Sequence, residues 1–255
     1  MKKKCTLKMV LYELRNLNGN LMPHFFGIIF PNLMCMLLPR AVASGLPADI
    51  QQKVTDSIML SMAIVIPMSI MFLGYGAVYA QEVERGIPLR MRLFGFEEKS
   101  AIMAKVFAHL ILLTIAFVIF AVFQMAVTKV SAPAVSSFLC LVISLYLIGV
   151  ILLVISHALA NLFKKFSIVF GVEMGIYFLM IILCGMMGIK TSALPNVMQK
   201  IAAAFPMTYI ANEFADFWQG GTYQFMPFIQ SFLFMGAIAG ILLLFSLYKD
   251  KRTVK

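Results

Sequence analysis

The sequence predicts an all-α integral membrane protein with six transmembrane helices, and three observations carry that prediction. Apolar residues fill 62% of the 255 positions and charged residues only 13%, too few to cover a soluble domain of this size. The apolar residues gather into six runs, each close to the ~20 residues that a bilayer core requires of a helix. Lysine and arginine, finally, collect on alternate connections between the runs, as they do in cytoplasmic loops.

Taken in chain order, residues 1–21 come first. Leu7, Val10, Leu11, Leu14, Leu17 and Leu21 recur at helical spacing, with Lys8, Tyr12 and Arg15 on other faces. This predicts an amphipathic helix lying along the inner membrane surface, in preference to a cleaved leader ending at the "AVA" of 41–43. The six spans are predicted over 22–39, 57–80, 103–127, 137–160, 167–187 and 227–248. With the N-terminus inside, the inner segments hold Lys2, Lys3, Lys4, Lys8 and Arg15; Arg85, Arg90, Arg92, Lys99 and Lys105; Lys164 and Lys165; and Lys249, Lys251, Arg252 and Lys255. That is sixteen of the 21 basic residues. Arg40, Lys53, Lys129, Lys190 and Lys200 fall outside. Both termini are therefore expected in the cytoplasm, and the net charge of +10 is explained by basic loops near anionic headgroups, without nucleic acid.

Between spans two and three, residues 81–102 form a dense charged knot. Glu82, Glu84 and Arg85 sit where span two would run out into water. Gly86 would stop that helix, and Pro88 suits the first turn of a new one. Leu89, Met91, Leu93, Phe94 and Phe96, interleaved with Arg90 and Arg92, then form a short, partly apolar segment. Glu97, Glu98 and Ser100 would start span three by capping its free N–H groups. Two uses remain open at this level: a rigid elbow presenting an apolar and basic ridge to a partner, or a solvated turn whose basic residues hold topology.

The other positions divide similarly. Glu173, six residues into span five, is either a polar contact on a transport path or a carboxylate reaching the inner headgroups, Lys164 or Lys165. Gly171/Gly175 and Gly236/Gly240 would allow close helix approach in spans five and six. Within the outer stretch 188–226, residues 195–221 are too broken by Pro206 and Gly220-Gly221 to cross cleanly, and Tyr209, Phe217, Trp218 and Tyr223 suit a headgroup zone. No Gly-x-x-x-x-Gly-Lys-[Ser/Thr] phosphate loop and no His-Glu-x-x-His occurs. His24, His109 and His157 stand singly, so neither a metal site nor a catalytic residue is expected. The four cysteines share no metal-like or disulfide spacing, and the twenty methionines read as flexible core filling. The chain forms a single domain over 1–255.

The run Glu82-Val83-Glu84-Arg85-Gly86, followed by Arg90, Ser100, Ile102 and Lys105, resembles the intracellular segment of type 2 ATP-binding-cassette (ABC) exporter permeases. Phe205-Pro206-Met207-Thr208-Tyr209 is similar to that family's Pro-Leu-Thr-Tyr-like segment before the last span. Pro88 and Ala104 depart from its usual pattern. The resemblance implies a transport subunit rather than an enzyme, with ATP and Mg bound by a separate ATP-binding-cassette partner and no cofactor of its own. It implies two copies, or one with a related permease, in the cell membrane. Glu82, Glu84 and Arg85 would join span two to a coupling helix through ion pairs; Gly86, Arg90, Leu93 and Phe94 would belong to that coupling element. Pro206, Thr208 and Tyr209 would lie in short re-entrant helices at the outer end. The substrate class stays open among a drug, a peptide or antibiotic, and a lipid-like molecule. Two other readings of the residues also stand: a non-transporting binding, immunity or signalling bundle, and a secondary transporter.

Overall fold

A helix of leucine-rich periodicity opens the chain in the computed structural model, which describes residues 4–128, 130–186 and 190–253, with side chains in the last helix up to 249. This N-terminal helix, Leu7–Asn18, buries Val10, Glu13 and Leu17 against the bundle and leaves Leu7, Leu11 and Tyr12 exposed. The stripe at i, i+3 and i+7 is thus the inward one, and it carries an acid.

Among the described residues, six helices long and apolar enough to cross a membrane follow: Leu21–Val42, Ala48–Glu84, Glu98–Val127, Val135–Phe163, Phe166–Leu183 and Phe225–Lys249. They match the six predicted spans, with ends that differ for physical reasons. Span one continues through Pro39 to Val42. Span two begins nine residues before its apolar run, because Asp56 finds partners on other elements and Gln52 bonds to it one turn before. Span five stops at Leu183, where Gly185 takes a left-handed φ of 78° and the Met186 N–H closes on the Ile181 carbonyl. The end predicted at 187 lies outside the described residues.

Span two is the axis of the molecule. Its apolar window is 89% buried, against 22–39% for the other five, so it is wrapped by protein while they face lipid on one side. Its 37 residues would run about 55 Å as ideal α-helix, well beyond a ~30 Å hydrocarbon core. Pro67 removes an N–H from the helical ladder, and the next seven residues, Met68–Gly74, wind as a wholly buried π-helix. Span one has its own π-helical segment, Phe25–Ile29, between Pro23 and Pro31. The two segments touch: a Cβ on Gly27 would lie 2.6 Å from Ile70, and one on Gly74 would lie 3.0 Å from Pro23. Spans four and six pack along each other on the far flank.

After span two, Gly86 adopts φ 68° and a short helix, Ile87–Leu93, starts with Pro88 in its first turn. Stop, turn and restart occur where the residues predicted. Span three then begins after Glu97, but no side chain caps it; the expected capping by Glu97, Glu98 and Ser100 is not made, and Ser100 is buried instead. Before span six lie three helices of seven, seven and five residues, Asn196–Ala202, Pro206–Asn212 and Phe214–Trp218. The glycine pairs need correcting. A Cβ at Gly171, Gly175, Gly236 or Gly240 would meet nothing within 4 Å, so none mediates helix packing within the chain. Span five turns Val169, Glu173 and Tyr177 inward, and its glycines look out.

Candidate functional site: a buried charge triad and the polar seam behind it

Lys105, in the second turn of span three, meets two carboxylates. Its Nζ lies 2.6 Å from Glu82 Oε1, in the last turn of span two, and 2.7 Å from Glu13 Oε2 on the N-terminal helix. All three residues are buried, and Asn16 Nδ2 adds a long contact to Glu82 at 3.5 Å. Three chain segments are thereby held by one ammonium. Removal of the ammonium would leave two buried carboxylates uncompensated.

Glu84, half a turn on, faces differently. Its Oε2 accepts from the Phe166 N–H at 2.8 Å, placing an anion on the N-terminus of span five. Among the described residues Arg85 forms no ion pair; its carbonyl accepts from the Arg90 guanidinium at 2.9 Å. The expected ion pairs from Glu82, Glu84 and Arg85 to the short helix are therefore absent among the described residues. Glu82 and Glu84 instead fasten span two to span three, the N-terminal helix and span five. Their partners sit on other helices: Glu82 is taken up by the Lys105 ammonium of span three and Glu84 by the Phe166 N–H of span five. The short helix leaves Leu89, Leu93 and Phe94 exposed, with Arg90 and Arg92 exposed among them. Between it and the N-terminal helix opens a cavity of about 800 Å³, lined by Lys8, Tyr12, Glu13, Glu82, Arg85 and Met91 among others.

Behind the triad a polar seam runs into the bundle. His109 Nδ1 meets the Lys105 carbonyl at 2.8 Å, and its ring packs edge-on against Tyr75. The Tyr75 hydroxyl lies 2.8 Å from His157 Nδ1. Asn161 joins His157 Nε2 at 3.0 Å and accepts from the Tyr79 hydroxyl at 3.1 Å. Histidines that stand alone in the sequence thus share one tyrosine in space. One residue before His157, the Ser156 hydroxyl lies 2.7 Å from Glu173 Oε1 and 3.1 Å from the Phe72 carbonyl in the π-helical segment. Glu173 has no exposed surface, and its carboxyl packs on the Cα of Gly76, where any Cβ would collide with it. Among the described residues it forms no ion pair with Lys164 or Lys165. Among the described residues no group of three or more His, Cys, Asp or Glu is placed to hold a metal ion.

The opposite end of the bundle has its own buried acid. Asp56, fully buried, accepts from the Ser131 N–H at 3.0 Å, Gln52 at 3.2 Å and Gln219 at 2.7 Å. Pro206 opens the helix Pro206–Asn212. There Thr208 and Tyr209 donate to the Ala202 and Ala203 carbonyls, closing the end of the preceding helix. Asn212 donates to the Cys184, Thr191 and Thr208 oxygens. Trp218 is buried and donates to the Ser131 carbonyl, so it is a packing residue and not a headgroup anchor. Burial pushes the Glu213 carboxyl above its ordinary value; burial, and then Glu213, do the same for the Tyr209 phenol.

Two acids of this site, Glu13 and Asp56, are not singled out by the sequence. Glu13 had one signal, an acid on the inward stripe between Val10 and Leu17. Asp56 had none beyond Gln52 one turn before it, since its other partners are 75 and 163 residues away.

A model of the ABC-2 type transporter family matches residues 12–216, from the N-terminal helix through the three short helices. The chain belongs to the ABC-2 type transporter family. Searches of curated proteins and of solved structures give no match. Family membership and six apolar helices together make this ABC-2 permease a multi-pass membrane protein. The family match includes Glu13, Glu82, Lys105 and Asp56, and stops before span six.

Proposed function

We propose that this ABC-2 permease forms the membrane pathway of an ATP-driven exporter and is moved by a separate ATP-binding-cassette subunit that seats on the helix Ile87–Leu93. The observation that carries this reading is the wiring of that helix. Its outer face is apolar and basic and is left uncovered by the chain, while the residues just before it are clamped, Glu82 to Lys105 and Glu13, Glu84 to the start of span five. A push delivered at Leu93 and Phe94 would therefore reach spans two, three and five and the N-terminal helix together.

The remaining parts follow from that assignment. The end bearing the short helix and both termini faces the cytoplasm of a cell membrane, in keeping with the distribution of lysine and arginine. The N-terminal helix lies at the inner surface with Leu7 and Leu11 toward lipid. Of the stretch 188–226, residues 190–226 cap the outer end as re-entrant helices, their backbone shielded by contacts such as those of Asn212; 188 and 189 lie outside the described residues. ATP and Mg bind to the partner, and two permease chains, identical or related, enclose the pathway. Glu173 joins that pathway when spans two and five part. The cargo is a drug, a peptide or antibiotic, or a lipid-like molecule.

Purification from native membranes in mild detergent tests the reading. A stoichiometric ATPase should accompany the chain, and changing Glu82 and Glu84 together to Ala should lower its stimulation by cargo at least several-fold without abolishing basal hydrolysis. A chain that is isolated alone, under conditions that preserve other transporter complexes, would refute the assignment.

A further inference from the structure

We propose that Glu173 is a proton-binding site: it is carried as a neutral carboxylic acid whose proton fastens spans four and five to the π-helical segment of span two. Hydrogen-bond counting leads to this. The Ser156 hydroxyl has one proton and lies within bonding distance of two oxygens, the Phe72 carbonyl and Glu173 Oε1. A carbonyl can only accept. Were Glu173 ionised, both neighbours would compete for the single Ser156 proton, and one oxygen pair would face lone pair to lone pair. With the proton on Glu173 the set closes: the acid donates to Ser156, and Ser156 donates to Phe72.

The surroundings agree. Glu173 Oε2 is buried with no protein hydrogen-bond partner, and no Lys, Arg or His nitrogen lies within ion-pair distance of it among the described residues. A carboxylate with neither cation nor full hydrogen bonding is not sustained in such a setting, whereas a neutral acid is. The titratable neighbours are Tyr75 beside Gly76 on span two, His157 beside Ser156 on span four, and Tyr177 one turn along span five. Tyr75 and His157 are committed to each other, and Tyr177 to Ser69 at 3.4 Å. None offers Glu173 a positive partner. Gly76 completes the site, since the carboxyl rests on its Cα.

The consequence is a proton-linked seam. The closed packing of spans two, four and five binds a proton that an opened, hydrated seam would release, so rising pH favours opening and falling pH favours closure. This assignment is independent of any partner ATPase and concerns the full chain alone.

Infrared spectroscopy of the full chain in lipid nanodiscs at neutral pH tests it. Wild type should show a protonated-carboxyl C=O stretching band that is absent in Glu173→Gln. Ser156→Ala should shift that band, because the acid loses its acceptor; this also assigns it should Glu173→Gln yield no protein. Thermal stability should fall as pH rises for wild type and stay flatter for Glu173→Gln. Absence of the band in wild type, its persistence unchanged in Glu173→Gln, or no shift in Ser156→Ala would overturn the proposal.

Discussion

Lys105 shows how much one side chain can hold. It is a single ammonium between two buried carboxylates, and the chain keeps it 3% exposed by wrapping three helices around it. Replacing it by Met would leave Glu13 and Glu82 facing each other without a cation. Such a change costs about 3–5 kcal/mol where one partner of a buried ion pair is lost. Lys105→Met should therefore sharply lower the melting temperature in detergent. Changing Glu13 and Glu82 to Gln in the same chain should recover most of the loss, because the group is then neutral throughout. A stable single variant would show that the triad contributes little.

At the scale of elements, glycines separate the faces of span five from those of span two. Gly76 is required by contact: its missing Cβ is the space the Glu173 carboxyl fills. Gly76→Ala should overpack the seam at a cost of about 1–3 kcal/mol. Gly171 meets nothing within the chain, so Gly171→Ala should leave the stability of the single chain unchanged or slightly raised. Melting curves of the two variants side by side give the comparison. A loss of function in Gly171→Ala with unchanged melting would place that face against another chain. Gly86 is a third case, fixed by backbone and not by space, since φ 68° is costly for any residue with a Cβ.

At the scale of the whole molecule, span two carries a buried acid near each end. Residues 56 and 82 are separated by roughly 39 Å of ideal helix, close to the ~40–45 Å of a bilayer with its headgroups. Each acid gathers elements that are remote in the chain: Asp56 the loop at Ser131 and the segment at Gln219, Glu82 the N-terminal helix and span three. Span two is thus the member through which the two ends of the bundle can be coupled. Asp56→Asn would turn one accepting oxygen into a donor facing the Ser131 N–H or the Gln219 amide, at a cost of about 1–3 kcal/mol. Hydrogen exchange should then quicken across 206–219 and stay unchanged in the N-terminal helix. Equal loosening at both ends would mean that the two clusters are not separate.

What the sequence determined by itself is what depends on local chemistry. The number of crossings follows from apolar runs, and the turn after span two from Gly86 and Pro88, whose backbone preferences need no neighbours. What only the tertiary structure decided is which polar groups meet. Glu13, Glu82 and Lys105 lie 23 to 92 positions apart, and Ser156 reaches across 84 positions to Phe72. No local pattern encodes such pairings. Nor could composition tell that span two is enclosed while span five turns its glycines outward, because apolar residues serve a protein neighbour and a lipid neighbour equally well. The burial of a charge is visible only once the helices that exclude water from it are in place.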